Sequence, residues 1–331
     1  MDPLSQAMVG AVVAGCVAKP QDIKPALMLG ALAGMAPDLD VFIRSAEDPL
    51  LFLEYHRQFT HALAFIPIGA AFVALFAWPL FRRHLSATSI YCFCFAGYLT
   101  HGLLDACTTY GTQLLWPFST ARTSWDIISI VDPLFTLALI FFAVCAAKRP
   151  QGRWAVAGLV WIAFYLGVGE WQRQRVTDAA FALAADRGHA PTRLEAKPGF
   201  AQLLLWKSVY EWEGKFFVDG IRVGYSTKTY PGESIDKIGL SWASVHLPSE
   251  SQTLEDFKRF QWFSGDYLAL SPNDEMVVMD VRYSMNVNEI EPLWSIKLDP
   301  SDPDAHVRYQ THRSVTNDTW QQFSEMLFGS N

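Results

Sequence analysis

His101 and Asp105 stand four residues apart near the end of an apolar run, Ala87 to Cys107. On a helix, side chains at i and i+4 leave from one face, which lets an imidazole and a carboxylate bind one metal ion. Ionisable groups are costly in hydrocarbon and are usually retained for function, so this pair is the first candidate for chemistry. Pro37-Asp38-Leu39-Asp40 offers two carboxylates in a tight turn, and His56 and His61 offer two more imidazoles. The candidate ligands are therefore Asp38, Asp40, His56, His61, His101 and Asp105. Such a mixed set suits a divalent ion, zinc first and manganese or iron as alternatives, bound as one ion or two. Asp126 is a carboxylate left over for proton transfer, and Arg57 or Arg122 could grip a phosphate oxygen. Blander readings stand beside these: Asp38 and Asp40 as a solvated turn, and Asp132 before Pro133 as a helix cap.

The elements that must position these groups are apolar. Six segments are expected to span the membrane or re-enter it: Leu4 to Ala18, Pro25 to Ala36, His61 to Phe81, Ala87 to Cys107, Val131 to Ala147 and Trp154 to Trp171. The first two are short for the ~20 residues that cross a bilayer and could form a re-entrant hairpin. Trp78, Trp116, Trp125, Trp154 and Trp171 lie near segment ends, where an interfacial aromatic belt would put them. Composition changes near residue 172, which predicts a membrane-embedded helical domain at 1–171 and a soluble α+β domain at 172–331.

Seven basic residues, Lys19, Lys24, Arg82, Arg83, Lys148, Arg149 and Arg153, fall in one alternating set of loops. The other set holds Arg44, Arg57 and Arg122, so the first should face the cytoplasm. Six spans then place both termini, the later domain and all the candidate ligands on the outer side. In a bacterial chain that is the periplasmic side of a multi-pass inner-membrane protein. The start, Met1-Asp2-Pro3-Leu4, lacks the basic region of a cleaved signal peptide and is expected to be retained.

Beyond Trp171 the sequence predicts an amphipathic helix from Val176 to Ala184, a linker through Pro198, and a small, mainly β, extracytoplasmic domain. Its strands are expected at Gln202 to Glu211, Lys215 to Val223, Met276 to Tyr283 and Leu293 to Leu298, with a helix near Leu254 to Phe263. His189, His246, His306 and His312 are isolated there and read as surface or satisfied residues. The net charge of -7 argues against a nucleic-acid partner. The five cysteines, in no zinc-ribbon spacing, read as apolar fillers. No nucleophile elbow or phosphate-binding glycine loop is present.

Taken together, Asp2-Pro3-Leu4, Pro37-Asp38-Leu39-Asp40, Thr60-His61-Ala62-Leu63, His101-x-x-Leu104-Asp105, Thr109-Tyr110-Gly111, Leu115-Trp116-Pro117-Phe118, Asp126 and Ile130-Val131-Asp132-Pro133 resemble the YdjM-like family. The resemblance implies a bacterial inner-membrane protein of a group described as metal-dependent hydrolases, some under LexA control and distantly similar to zinc-dependent phospholipase C proteins. Trp262-Phe263-Ser264-Gly265 and Asp280-Val281-Arg282-Tyr283 look like the extension many members carry. One position departs: the family's opening reads Asp-Pro-Leu-Thr-His, and here Ser5 and Gln6 stand in the last two places. An amide oxygen is a poor zinc ligand, which implies one ion fewer, another metal, or lost activity.

The leading expectation is a membrane-bound, metal-dependent hydrolase of a phosphoester or lipid-linked substrate at the outer face. The alternative is a non-catalytic membrane protein with a structural metal or ion-relay site and a partner-binding soluble domain.

Overall fold

The computed structural model describes residues 1–299 and 301–329. The chain divides into two compact units. The first comprises Met1–Phe42, Tyr55–Trp171 and Phe200–Leu203; the second comprises Ile43–Glu54, Gln172–Gly199 and the chain from Leu204 onward.

The first unit is helical. Its elements are α1 (Pro3–Cys16), α2 (Ile23–Met35), the C-terminal end of α3 (Leu51–Tyr55), α4 (Ile66–Phe81), α5 (Ala87–Ala106), α6 (Pro133–Lys148) and the first part of α7 (Gly152–Asp186). Local chemistry sets the helix starts. Asp2 caps α1 through the Leu4 and Ser5 N–H groups at 3.1 and 3.0 Å, with Pro3 at the first helical position. Asp132 does the same for α6, accepting from Phe135 N–H at 3.2 Å, and its other oxygen accepts from the Tyr165 hydroxyl at 2.7 Å. Capping thus accounts for Asp132.

Among the described residues, three helical stretches are long and apolar enough to cross a membrane: Pro20–Phe42, Leu63–Phe81 and Gly152–Asp186. Six were expected from the sequence, and the difference has a physical origin. α1 and α6 have 14 and 16 residues, or about 21 and 24 Å at the helical rise, short of a hydrocarbon core of ~30 Å. α5 has 20 residues, but Thr100, His101 and Asp105 and its glycines dilute its apolar character. On α4, by contrast, Phe72, Phe76 and Leu80 all face outward, Phe76 at 91% exposure, as expected of a helix whose surroundings are not water.

Glycine lets the helices approach closely enough to build a site. A Cβ on Gly102 would lie 2.2 Å from the His61 carbonyl oxygen, and one on Gly34 would lie 2.6 Å from that of Gln6. No side chain fits at either place, so α5 reaches the His61 turn and α1 reaches α2 at backbone contact.

The second unit is an antiparallel meander of eight strands paired in sequence order. The strands are β1 (Arg193–Pro198), β2 (Leu205–Trp212), β3 (Lys215–Val223), β4 (Thr227–Ile238), β5 (Leu268–Ser271), β6 (Asp274–Asp280), β7 (Trp294–Lys297) and β8 (Arg308–Thr311). Helices α8 (Leu240–His246), α9 (Gln252–Phe263) and α10 (Asn317–Phe328) complete it. Val209, Phe216, Val218, Tyr267, Met279 and Val281 form its main core.

Two boundaries differ from the sequence reading. The helix expected at Val176 to Ala184 is the continuation of α7, because Glu170, Gln172, Arg173, Gln174 and Arg175 are good helix formers with no glycine or proline among them. The expected linker through Pro198 contains β1, whose six residues all pair with β2.

Candidate metal centre

Three elements of the first unit bring metal-capable side chains together. Asp38 and Asp40 lie in the 3-10 turn Ala36–Phe42 that extends α2, His61 ends the turn Phe59–His61, and His101 and Asp105 project from α5. One ligand atom each from Asp38, His61, His101 and Asp105 falls within 4.8 Å of all the others. His61 Nε2 is 2.8 Å from His101 Nε2, 3.2 Å from Asp105 Oδ2 and 3.5 Å from Asp38 Oδ1. His101 Nε2 is 3.4 Å from Asp38 Oδ1 and 3.7 Å from Asp105 Oδ2.

Hydrogen bonds on the far side of each ring decide which nitrogen carries the proton. His101 Nδ1 lies 2.5 Å from the Gly34 carbonyl oxygen, which can only accept, so Nδ1 donates and Nε2 bears the lone pair. Around His61 the Thr60 hydroxyl donates to Asp40 Oδ2 at 2.9 Å, leaving its oxygen to accept from His61 Nδ1 at 2.9 Å. Asp40 Oδ2 lies 3.3 Å from the same nitrogen. In the neutral ring His61 Nε2 therefore also carries a lone pair. Two imidazole lone pairs face each other across 2.8 Å with two carboxylate oxygens beside them. A shared proton or a bound cation relieves that arrangement.

A further test comes from Asp105, which is fully buried. Its Oδ1 is engaged by Gln6 Nε2 at 2.9 Å and by the Met1 amino group. Its Oδ2, the atom facing the histidines, is ion-paired with Arg57 Nε at 2.9 Å without an aligned hydrogen bond. The residues present therefore fit a divalent ion held by two imidazoles and two carboxylates, a donor set suited to zinc, manganese or iron.

Around the tetrad sit residues that hold its members in place. Arg57 is 4% exposed and adopts a left-handed backbone, φ +64°, a conformation costing about 1–2 kcal/mol in a residue with a Cβ. That strain is balanced by what it positions: the Arg57 N–H donates to Asp40 Oδ2 at 2.9 Å and Nη1 donates to Thr108 Oγ1 at 2.9 Å. Its guanidinium also lies over the Tyr110 ring at 4.9 Å, with Arg122 over the same ring at 5.2 Å. Arg122 Nη2 donates to the Gly111 carbonyl at 2.9 Å. His56 Nδ1 meets Asp40 Oδ1 at 2.8 Å. Burial lowers the His56 pKa, and the bond to Asp40 opposes that shift without cancelling it.

All six expected ligands fall in two overlapping groups: the tetrad, and a second group of Asp38, Asp40 and His56. Asp126 stands outside both. It is buried, with φ +54°, in the segment that returns past the end of α5, where Ile127 N–H donates to the Cys107 carbonyl at 2.9 Å. Gln6 is now placed as well. Its amide nitrogen fixes the Asp105 carboxylate from behind, a contact that sequence could not reveal across 99 residues. Thr60 orients His61, whereas Thr100, the residue before His101, donates back to the Gly97 carbonyl of its own helix at 2.7 Å.

The sequence pattern described as YdjM inner membrane protein matches residues 1–176 of the 331. The chain belongs to the YdjM family. It is similar to the inner membrane protein YbcI of Escherichia coli (strain K12), 29% identical over 162 residues that cover 45% of this chain and 84% of that protein. It is also similar to the uncharacterized protein YfhP of Bacillus subtilis (strain 168), 26% identical over 129 residues, which are 38% of this chain and 39% of that protein. No solved structure matches the chain. Like the family, this is an inner membrane protein, and the YdjM match includes every residue of both ligand groups.

The second unit holds a third grouping, Asp48, Asp256 and His306. Arg259 already supplies its positive charge, with Nη1 and Nη2 on Asp48 at 3.0 and 2.8 Å, Nη1 on Asp256 at 2.8 Å and Nε on Glu54 at 2.5 Å. His306 donates to Asp256 Oδ2 at 2.8 Å, the satisfied role expected of it. A cavity of about 600 Å³ in the same unit is lined by Glu233, Glu289, Glu291 and His312 and contains none of the two ligand groups above.

Proposed function

We propose that the protein is a membrane-bound, metal-dependent hydrolase of a phosphoester, presented at the outer face of the inner membrane by a lipid or lipid-linked substrate. The observation that carries this reading is the approach of His61 Nε2 and His101 Nε2 to 2.8 Å beside the Asp38 and Asp105 carboxylates. Asp38, His61, His101 and Asp105 would hold a divalent ion, which would supply an acidified water and a Lewis acid for the scissile bond. Asp40 orients His61, and Gln6 and Arg57 fix Asp105, so the donors are set before substrate arrives. Arg57 acts through Asp105 and Thr108, because its guanidinium is engaged there. Arg122, half-buried above Tyr110, would take a phosphate oxygen and Asp126 would accept a proton, the roles read from the sequence. The positive-inside distribution of Lys and Arg supports a multi-pass chain with the site and the β domain on the periplasmic side.

One observation favours the non-catalytic reading. The side chains of His61, His101 and Asp105 have no exposed surface, and only Asp38, at 24%, opens the tetrad to solvent. The experiment that separates the two measures phosphate release from phospholipid and lipid-linked phosphoester vesicles by the purified full chain, before and after chelation and re-addition of zinc or manganese. Turnover that disappears with the metal and returns with it, and that is absent from His101→Ala, is the expected result. A metal-loaded, folded protein that releases nothing from any of these substrates would leave the ion a structural role.

A further inference from the structure

The second ligand group is not explained by the tetrad. Asp38, Asp40 and His56 each offer an atom within 4.8 Å of the other two, and Asp38 is the one residue common to both groups. Asp40 Oδ2 is locked by Arg57 N–H and the Thr60 hydroxyl, each at 2.9 Å, while Oδ1 faces His56 Nδ1. A hydrogen bond between His56 and Asp40 accounts for that one contact. Asp38 turns Oδ1 to His61 and His101 at 3.5 and 3.4 Å and also stands within ligand reach of Asp40 and His56, so it is placed to serve both groups. The Arg57 guanidinium does not enter the second group, since it is directed to Asp105 and Thr108. Exposure separates the groups: the side chains of His56 and Asp38 are 21% and 24% exposed, whereas those of His61, His101 and Asp105 are closed.

We infer that the protein binds a second divalent ion at Asp38, Asp40 and His56, nearer the solvent than the first and sharing Asp38 with it. This rests on the tetrad being a metal site and deepens that reading. Two ions sharing a carboxylate would clamp the attacking and leaving oxygens of a displacement, the arrangement that the proposed phosphoester hydrolysis would use. The outer ion, with fewer buried donors, binds more weakly than the inner one.

The test is a zinc titration of the metal-free full chain in detergent, with bound metal counted at increasing free zinc. Wild type should take up two equivalents, one tight and one at least about ten-fold weaker, by analogy with the loss of a ligand's supporting partner. His56→Ala should lose the weak equivalent and keep the tight one, His101→Ala should lose the tight one, and Asp38→Ala should disturb both. If His56→Ala does not fold, His56→Gln still donates to Asp40 and should lose the weak equivalent in the same way. One equivalent in wild type, or two retained by both His56 variants, would overturn the second site and leave the first intact. No equivalent in wild type would overturn both.

Discussion

Alanine at His101 or at Asp105 is expected to lower affinity for the tightly bound ion by well over 100-fold. Removing a residue that merely supports a ligand costs about 10–100-fold in metal affinity, and these two are donors themselves. His101 contributes Nε2, kept free of a proton because Nδ1 donates to the Gly34 carbonyl. Asp105 contributes Oδ2, a buried oxygen ion-paired with Arg57 Nε without an aligned hydrogen bond. Loss of either removes a quarter of the tetrad and leaves the opposing His61 Nε2 without its partner. Competition against a chelator of known affinity, on protein shown to be folded by thermal unfolding, measures the change. Unchanged binding in both variants would remove the tetrad as the metal site.

The second large effect is on stability. Arg57→Ala is expected to cost about 3–5 kcal/mol, the range for breaking a buried ion pair by removing one partner. Arg57 and Asp105 are both buried, 2.9 Å apart through Nε and Oδ2, and alanine leaves the carboxylate with one cationic neighbour fewer. Pairing Arg57→Ala with Asp105→Asn should recover a large part of the loss, because the uncompensated charge is gone. Denaturant unfolding in detergent, read for the two single variants and the double, checks both statements; strictly additive losses would show that the pair is not coupled. Arg57→Lys should recover less than a charge count suggests, since an ammonium cannot bridge Asp105 and Thr108 as the guanidinium does.

Much of this site was legible before any fold was known. His101 and Asp105 stood out because polar residues in an apolar run are expensive, and their spacing put them on one face. Asp38, Asp40 and His61 were legible for the same reason, at the ends of other apolar segments. The partners that tune them were not. Gln6 reads as a lost ligand in sequence, and its contact with Asp105 depends on how α1 meets α5, a long-range approach that no local pattern encodes. The left-handed backbone of Arg57 was equally hidden, since arginine carries no signal for φ +64°. Asp126 was expected near the ligands because it closes the motif-rich stretch after α5, yet proximity in sequence does not bring its carboxylate into either group.

In the second unit, β2, β3, β6 and β7 were readable from β-branched and aromatic residues. β1 and β4 were not, because they present mostly exposed or half-exposed, charged faces, and β4 carries Pro231 and Gly232 within it. Pairing decides there: β4 is held by β3 along most of its length, with Pro231 next to the irregularity at Asp219. Segment length misled the membrane reading in the same way, since α1 and α6 are mainly apolar but too short to cross a bilayer by themselves.

The most direct test of the central claim is X-ray absorption at the zinc edge on the purified full chain loaded with one equivalent. The tetrad predicts a shell of four nitrogen and oxygen donors at about 2.0–2.2 Å, with outer scattering from two imidazoles. A sulfur shell at about 2.3 Å, the signature of cysteine ligation, or a spectrum without imidazole scattering would contradict it.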